Sequence, residues 1–157
     1  MTRKLWTDGS ASPNPGPGGY AVIENSRPVA LGREAASTNI KMEAAALLAA
    51  LSLAGSEPVE IITDSQFWVN TLTQWAPAWK RNGWKKKSGP IKNLPIVKAL
   101  LAAYEASHAT LTFTYGHVGT PENELADHWA NLARANDPAD SGLPIPIFDP
   151  ENPTKIA

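Results

Sequence analysis

Lys4-Leu5-Trp6-Thr7-Asp8-Gly9-Ser10 and, two residues on, Pro13-Asn14-Pro15-Gly16-Pro17-Gly18-Gly19 decide how the rest of the chain folds. A short apolar stretch that ends on a carboxylate and then breaks into Gly and Pro predicts a strand over residues 3–8. Asp8 then sits at the C-terminal end of that strand, at a sheet edge, with its side chain open to solvent. One Asp binds a hard divalent cation weakly, so a metal site here depends on other carboxylates reaching the same place. Glu43, Asp64 and Asp127 are the downstream candidates.

Outward from this strand, residues 19–24 read as a second one, beyond a turn too rich in Pro and Gly for a regular element. Asn25-Ser26-Arg27-Pro28 reverses the chain again, and 29–35 is predicted as a third antiparallel strand, weakened by Gly32. The chain therefore opens with a meander. From Asn39 the apolar spacing changes to the helical period. A helix over 39–54 follows, capped by Ser37, Thr38 or Asn39 and stopped by Gly55, with Glu43 in its first turn or just after. The β-branched run Val59-Glu60-Ile61-Ile62-Thr63 is a further strand, which Asp64 ends before a second helix to about residue 73. Asp64 thus repeats the placement of Asp8, and in sheets with helical crossovers ligands gather at that edge.

Residues 74–93 interleave Trp75, Trp79 and Trp84 with Lys80, Arg81, Lys85, Lys86, Lys87 and Lys92, which predicts a protruding basic element with a short helix at 78–82. A helix from Asn93 or Leu94 and a last strand over 110–115 come next. The loop Gly116-His117-Val118-Gly119 leads into Thr120-Pro121-Glu122, a hydroxyl cap followed by Pro and an acid in the first turn. That helix runs to about residue 134 and carries Asp127 in its second turn. Five prolines in 137–157 predict a terminal tail, so the organisation is one domain over 1–136 and a Pro-rich tail over 137–157.

A chain of 157 residues suits one domain that buries roughly two thirds of its unfolded surface. Its net charge of -1 hides a division: residues 65–104 hold seven Lys or Arg and no acid, and the remainder holds seven basic and fifteen acidic residues. The middle is +7 and the rest -8, as for a basic polyanion-binding surface beside an acidic centre. Without cysteine, disulfides and thiolate metal sites are excluded. No apolar signal core follows Met1, and no apolar run approaches membrane-spanning length. A soluble, intracellular protein of the cytoplasm is the expectation.

Four carboxylates on separate elements repel one another unless cations lie between them. With only oxygen ligands, Mg²⁺ or Mn²⁺ is the natural occupant. Two such ions can activate water and stabilise the leaving oxygen in phosphodiester cleavage. His117, in a Gly-flanked loop, is placed to move a proton at the leaving group or to help release product.

Thr-Asp8-Gly-Ser with Asn14-Pro-Gly-Pro-Gly-Gly, Lys-Met-Glu43, Thr-Asp64-Ser-Gln and Gly116-His117-Val-Gly-Thr-Pro-Glu-Asn-Glu124-Leu-Ala-Asp127 together resemble type 1 ribonuclease H of the bacterial kind. The resemblance covers roughly residues 3–135, with the motifs in order and at fitting spacing. It implies an α/β, ribonuclease H-like fold: a five-stranded mixed sheet, antiparallel meander first, flanked by helices. It also implies endonucleolytic hydrolysis of the RNA strand of RNA/DNA hybrids, leaving a 5'-phosphate and a 3'-hydroxyl. Asp8, Glu43, Asp64 and Asp127 would hold two Mg²⁺ ions, for which Mn²⁺ could substitute, and His117 would be the auxiliary acid or base.

By the same resemblance Asn14, Asn39 and Gln66 would contact the minor groove and its 2'-hydroxyls, and Thr38 would hold a DNA phosphate. Trp79, Lys80, Arg81, Trp84, Lys85, Lys86 and Lys87 fall in the family's basic protrusion, which straddles the DNA strand. Ile40 departs from the pattern, because the family usually has a second Asn there. A monomer with no obligate protein partner and no preceding hybrid-binding domain is implied.

Taken singly, Asp8 and Asp64 read as turn or cap residues, Glu43 and Asp127 as solvated helix acids, and His117 as a loop residue. An ordered set of four is not explained that way. Trp6, Trp68 and Trp129 are assigned to the core, and Trp79 and Trp84 to either the core or the duplex. A catalytically silent nucleic-acid-binding module and a same-fold nuclease acting on DNA are the alternatives.

Overall fold

The computed structural model describes residues 3–116, 120–135, 148–149 and 152–156. Three antiparallel strands, β1 (Arg3–Ala11), β2 (Gly16–Glu24) and β3 (Arg27–Ser37), form the meander. After helix α1 (Asn39–Ala54), β4 (Val59–Thr63) joins β1 in parallel. A helical run then follows: α2 (Gln66–Asn70), a π-helical turn (Thr71–Trp75) and α3 (Ala76–Arg81). Helix α4 (Leu94–Ala106) leads to β5 (Ala109–Phe113), which pairs in parallel with β4, and α5 (Pro121–Ala135) comes next. The order across the sheet is β3-β2-β1-β4-β5, the mixed five-stranded α/β architecture expected.

Glycines show where the helices press on the sheet. A side chain at Gly18 would strike Met42 of α1, whereas one at its neighbour Gly19 would strike the α5 backbone at Ala130 and Arg134. Successive strand residues face opposite ways, so α1 and α5 cover opposite faces. Helix α1 is apolar almost all round, from Met42 to Ala54, and is the centre of the main core with Leu5, Val22, Ile61, Trp68, Leu72, Leu100 and Leu101. Trp68 is fully buried, while Trp6 and Trp129 are only partly so.

The strands are longer than their sequence pattern. β1 continues past Asp8 to Ala11 because Gly9, Ser10 and Ala11 stay paired with Tyr20, Gly19 and Gly18. Asp8 is therefore not at a strand end open to solvent: it lies within β1 and is 5% exposed. The parallel pairing with β4 stops at Trp6–Ile62, so Asp8 sits where β1 outruns its neighbour.

The helix after Asp64 does not stop near residue 73. Pro77 in a regular α-helix would clash with the carbonyl four residues back. A π-helical turn precedes it, with the Ala76 N–H donating to the Thr71 carbonyl, and the helical run goes on to Arg81. Within residues 137–157, expected as a tail, β6 (Phe148–Asp149) pairs antiparallel with β7 (Asn152–Ile156).

Candidate metal centre and nucleic-acid interface

Three of the four expected carboxylates converge. Asp8, Glu43 and Asp64 each offer an oxygen, and these oxygens lie within 4.8 Å of one another. Each arrives by a separate constraint. The Thr7 hydroxyl donates to the Ile62 carbonyl at 3.1 Å, tying β1 to β4 just before Asp8, and the Gly9 N–H donates to Asp8 Oδ1 at 2.9 Å. Glu43 comes from the first turns of α1, fixed by Thr38, whose hydroxyl accepts from the Lys41 N–H at 3.2 Å. Asp64 leaves the end of β4, and Ser65 caps α2 by accepting from the Trp68 N–H. Trp68 in turn donates its indole N–H to the Ile40 carbonyl at 2.8 Å, joining α2 to the start of α1.

The electrostatics are those of crowded acids. Burial, and next the negative charge of Asp64, push the Asp8 carboxyl up to about 8. Burial and then the charge of Asp8 hold Glu43 well above the ordinary carboxylate range. Glu43 Oε2 is buried and has no hydrogen-bond partner. A buried, unpartnered carboxylate oxygen facing two further acids fits a hard divalent cation, whose preferred ligands are oxygens.

Asp127 is not one of the three clustered carboxylates, although α5 brings it close enough for its charge to act on Asp8. His117 lies outside the described residues. Gly116, which precedes it, stands against Asp64, a contact with no sequence signal beyond the Gly itself. Gly9 reads in sequence as a chain breaker, yet its place is set by packing, since a side chain there would strike the Met42 carbonyl oxygen.

The expected groove residues lie beside the cluster. The Asn14 Oδ1 accepts from the Asn39 N–H at 3.1 Å, and Asn39 Oδ1 accepts from the Ala11 N–H at 2.7 Å. These bonds hold the Pro-rich turn onto the start of α1 and commit both oxygens, so the amide nitrogens are the ends left to donate. Gln66 Nε2 donates to Asn70 Oδ1 at 3.1 Å. Ile40 is 39% exposed next to them.

The basic element folds onto α4. Trp79 and Trp84 are partly buried against the core, and each ring also carries a cation, Lys86 lying 5.7 Å from the Trp79 ring centre and Lys98 5.4 Å from that of Trp84. Lys85, Lys86 and Lys87 line an open cavity of about 620 Å³ with Ala78, Trp79 and Asn82. Lys80 is engaged by Glu105 at 3.0 Å, and Arg81 is exposed at the end of α3.

The RNase H family model matches residues 2–135. Ribonuclease H of Agrobacterium fabrum is 40% identical over 132 residues, covering 80% of this chain and 90% of that protein. Ribonuclease H of Methylorubrum extorquens is 36% identical over 138 residues, 85% of this chain, and the chain spans 60% of its length. Among solved structures, LC9-RNase H1, described as a type 1 RNase H with the type 2 active-site motif, superposes with a TM-score of 0.68 at 24% identity. That match covers 86% of this chain and 74% of the other, and shows a shared fold. No helix among the described residues is long and apolar enough to cross a membrane.

Proposed function

The chain belongs to the RNase H family, and from that premise we infer that it is a metal-dependent endoribonuclease hydrolysing the RNA strand of RNA/DNA hybrids. The observation that carries the reading is the convergence of Asp8, Glu43 and Asp64 around a buried, unpartnered carboxylate oxygen. Asp8, Glu43, Asp64 and Asp127 are the residues that would hold two Mg²⁺ ions, with Mn²⁺ as a substitute. When bound, such ions supply an activated water and charge neutralisation at the scissile phosphate.

The protein's own part is placement. Asp8 and Glu43 are held by β1 and α1, two elements of the packed core, so the acids do not have to be gathered when substrate arrives. His117 moves a proton at the leaving oxygen, consistent with a 3'-hydroxyl and a 5'-phosphate as products. The amide ends of Asn14, Asn39 and Gln66 read 2'-hydroxyls in the minor groove, and Thr38 takes a phosphate of the DNA strand. Trp79, Lys80, Arg81, Trp84, Lys85, Lys86 and Lys87 receive that strand's backbone, Lys80 less than the others because Glu105 already pairs with it. Residues 1–136 form the catalytic unit, which acts as a monomer in the cytoplasm.

The test is incubation with end-labelled RNA/DNA hybrid and with DNA duplex of the same sequence, with Mg²⁺ or with chelator. Internal RNA fragments from the hybrid alone, abolished by chelation, are the expected result. An RNA strand left intact under every divalent ion tried, or equal cutting of the DNA duplex, would reject the reading.

A further inference from the structure

Two glycines touch the carboxylate cluster, and they differ in what a side chain would strike. At Gly9 an added Cβ would meet backbone, the Met42 carbonyl oxygen of α1, so this position belongs to the packing of helix on sheet. At Gly116 it would lie 2.8 Å from Asp64 Oδ2, while the Cβ and Cγ of Asp64 stay at 3.7 Å, ordinary contact distance. The single atom that has to yield belongs to the carboxylate of Asp64, a residue of the cluster. Gly116 is not among the residues with positive φ, so what the position requires is space.

The approach follows from the register of the sheet. β5 pairs in parallel with β4 up to Phe113 opposite Thr63, and the Thr114 N–H donates to the Thr63 carbonyl at 2.9 Å. The chain beyond β5 is therefore kept alongside the residue that follows Thr63, which is Asp64. Gly116 lies two residues beyond Thr114 on that stretch.

We infer that Gly116 is a positioning residue for the metal centre: its missing side chain lets the backbone pass against Asp64 while the Asp64 carboxylate remains where it joins Asp8 and Glu43. This rests on the cluster being a cation site. A methyl group at 116 turns the Asp64 carboxylate aside at little cost to the fold, because a side-chain end gives way more easily than backbone. A small cation that demands near-ideal ligand geometry registers the same movement strongly.

The experiment titrates Mn²⁺ alone, by calorimetry, into the wild-type protein, Gly116→Ala, Asp64→Asn and the double variant, with thermal unfolding of each in chelator. Gly116→Ala is expected to unfold close to the wild-type temperature and to bind Mn²⁺ about 10- to 100-fold more weakly, the range seen when the support of a metal ligand is removed. The double variant is expected to bind no more weakly than Asp64→Asn, since Gly116 acts through that carboxylate. Wild-type affinity in Gly116→Ala, a full further loss in the double variant, or a Gly116→Ala protein unfolded in chelator would each overturn the inference. Absence of any Mn²⁺ binding by the wild type would instead overturn the cation site itself.

Discussion

The indole nitrogen of Trp68 donates to the carbonyl oxygen of Ile40 at 2.8 Å, so the helix that follows Asp64 is bonded to the first turn of the helix that carries Glu43. Trp68 is fully buried, and nothing in solvent can replace its donor. Trp68→Phe keeps most of the ring and removes the N–H. The expected cost is about 1 kcal/mol, the net worth of one intramolecular hydrogen bond. In a chain of this size that lowers the unfolding midpoint by roughly 2–4 °C, measurable by circular dichroism.

The raised carboxyl groups make the metal-free protein sensitive to pH. Unfolded, Asp8 and Glu43 titrate near their ordinary values of 3.8 and 4.5; folded, Asp8 titrates near 8 and Glu43 well above its ordinary value. Across that window the native state keeps protons that the unfolded chain has released, so this contribution to stability is complete below the unfolded values and is lost as pH rises toward 8. In chelator, the unfolding midpoint is expected to fall as pH rises from about 5 to about 8. With Mg²⁺ the fall should flatten or reverse, because a cation binds the deprotonated acids. Thermal scans over that range, with and without metal, check both signs.

Glu43→Gln separates stability from activity. The substitution keeps the shape of a half-buried side chain whose Oε2 is buried and unpartnered, and puts a neutral amide where the native pocket holds a carboxyl to its proton well above the ordinary range. The metal-free protein is expected to be more stable near neutral pH, by a few degrees in a melting scan, because the native pocket no longer has to hold a proton that the unfolded chain has released. Hybrid cleavage is expected to drop at least about 100-fold, the upper end of the range for removing a group that supports a bound metal. Lower stability with undiminished cleavage would contradict both.

Charge in the basic element has a separate readout. Lys85, Lys86 and Lys87 line one open cavity, whereas Lys80 is paired with Glu105. Changing the three to Ala is expected to weaken hybrid binding and reduce its log–log salt slope by roughly two to three, about one for each phosphate no longer neutralised. Lys80→Ala should change the slope less. Fluorescence anisotropy across a salt series, with a non-cleaving Asp8→Asn background, measures this.

Order along the chain is legible because each element carries its own period: the alanine-rich α1, the β-branched β4 and the Pro-started α5 all occupy close to their predicted spans. The strand-end expectation for Asp8 fails because Gly9 and Gly18 look like breaks. In the sheet they are strand residues kept small by Met42 above them, a tertiary demand that leaves no periodic signal. The π-helical turn before Pro77 is hidden for the same kind of reason, since local rules stop a helix at Pro and packing here carries it through. At the site, the sequence offers the acids and not their distances: Asp8, Glu43 and Asp64 meet, and Asp127 is not among them although its charge acts on Asp8.

Crystals soaked in Mn²⁺, with data collected at the manganese edge, test the central claim most directly. The expected result is anomalous density bounded by the carboxylates of Asp8, Glu43 and Asp64, with a second peak between Asp8 and Asp127. Fully ordered carboxylates with no anomalous density among them would contradict it.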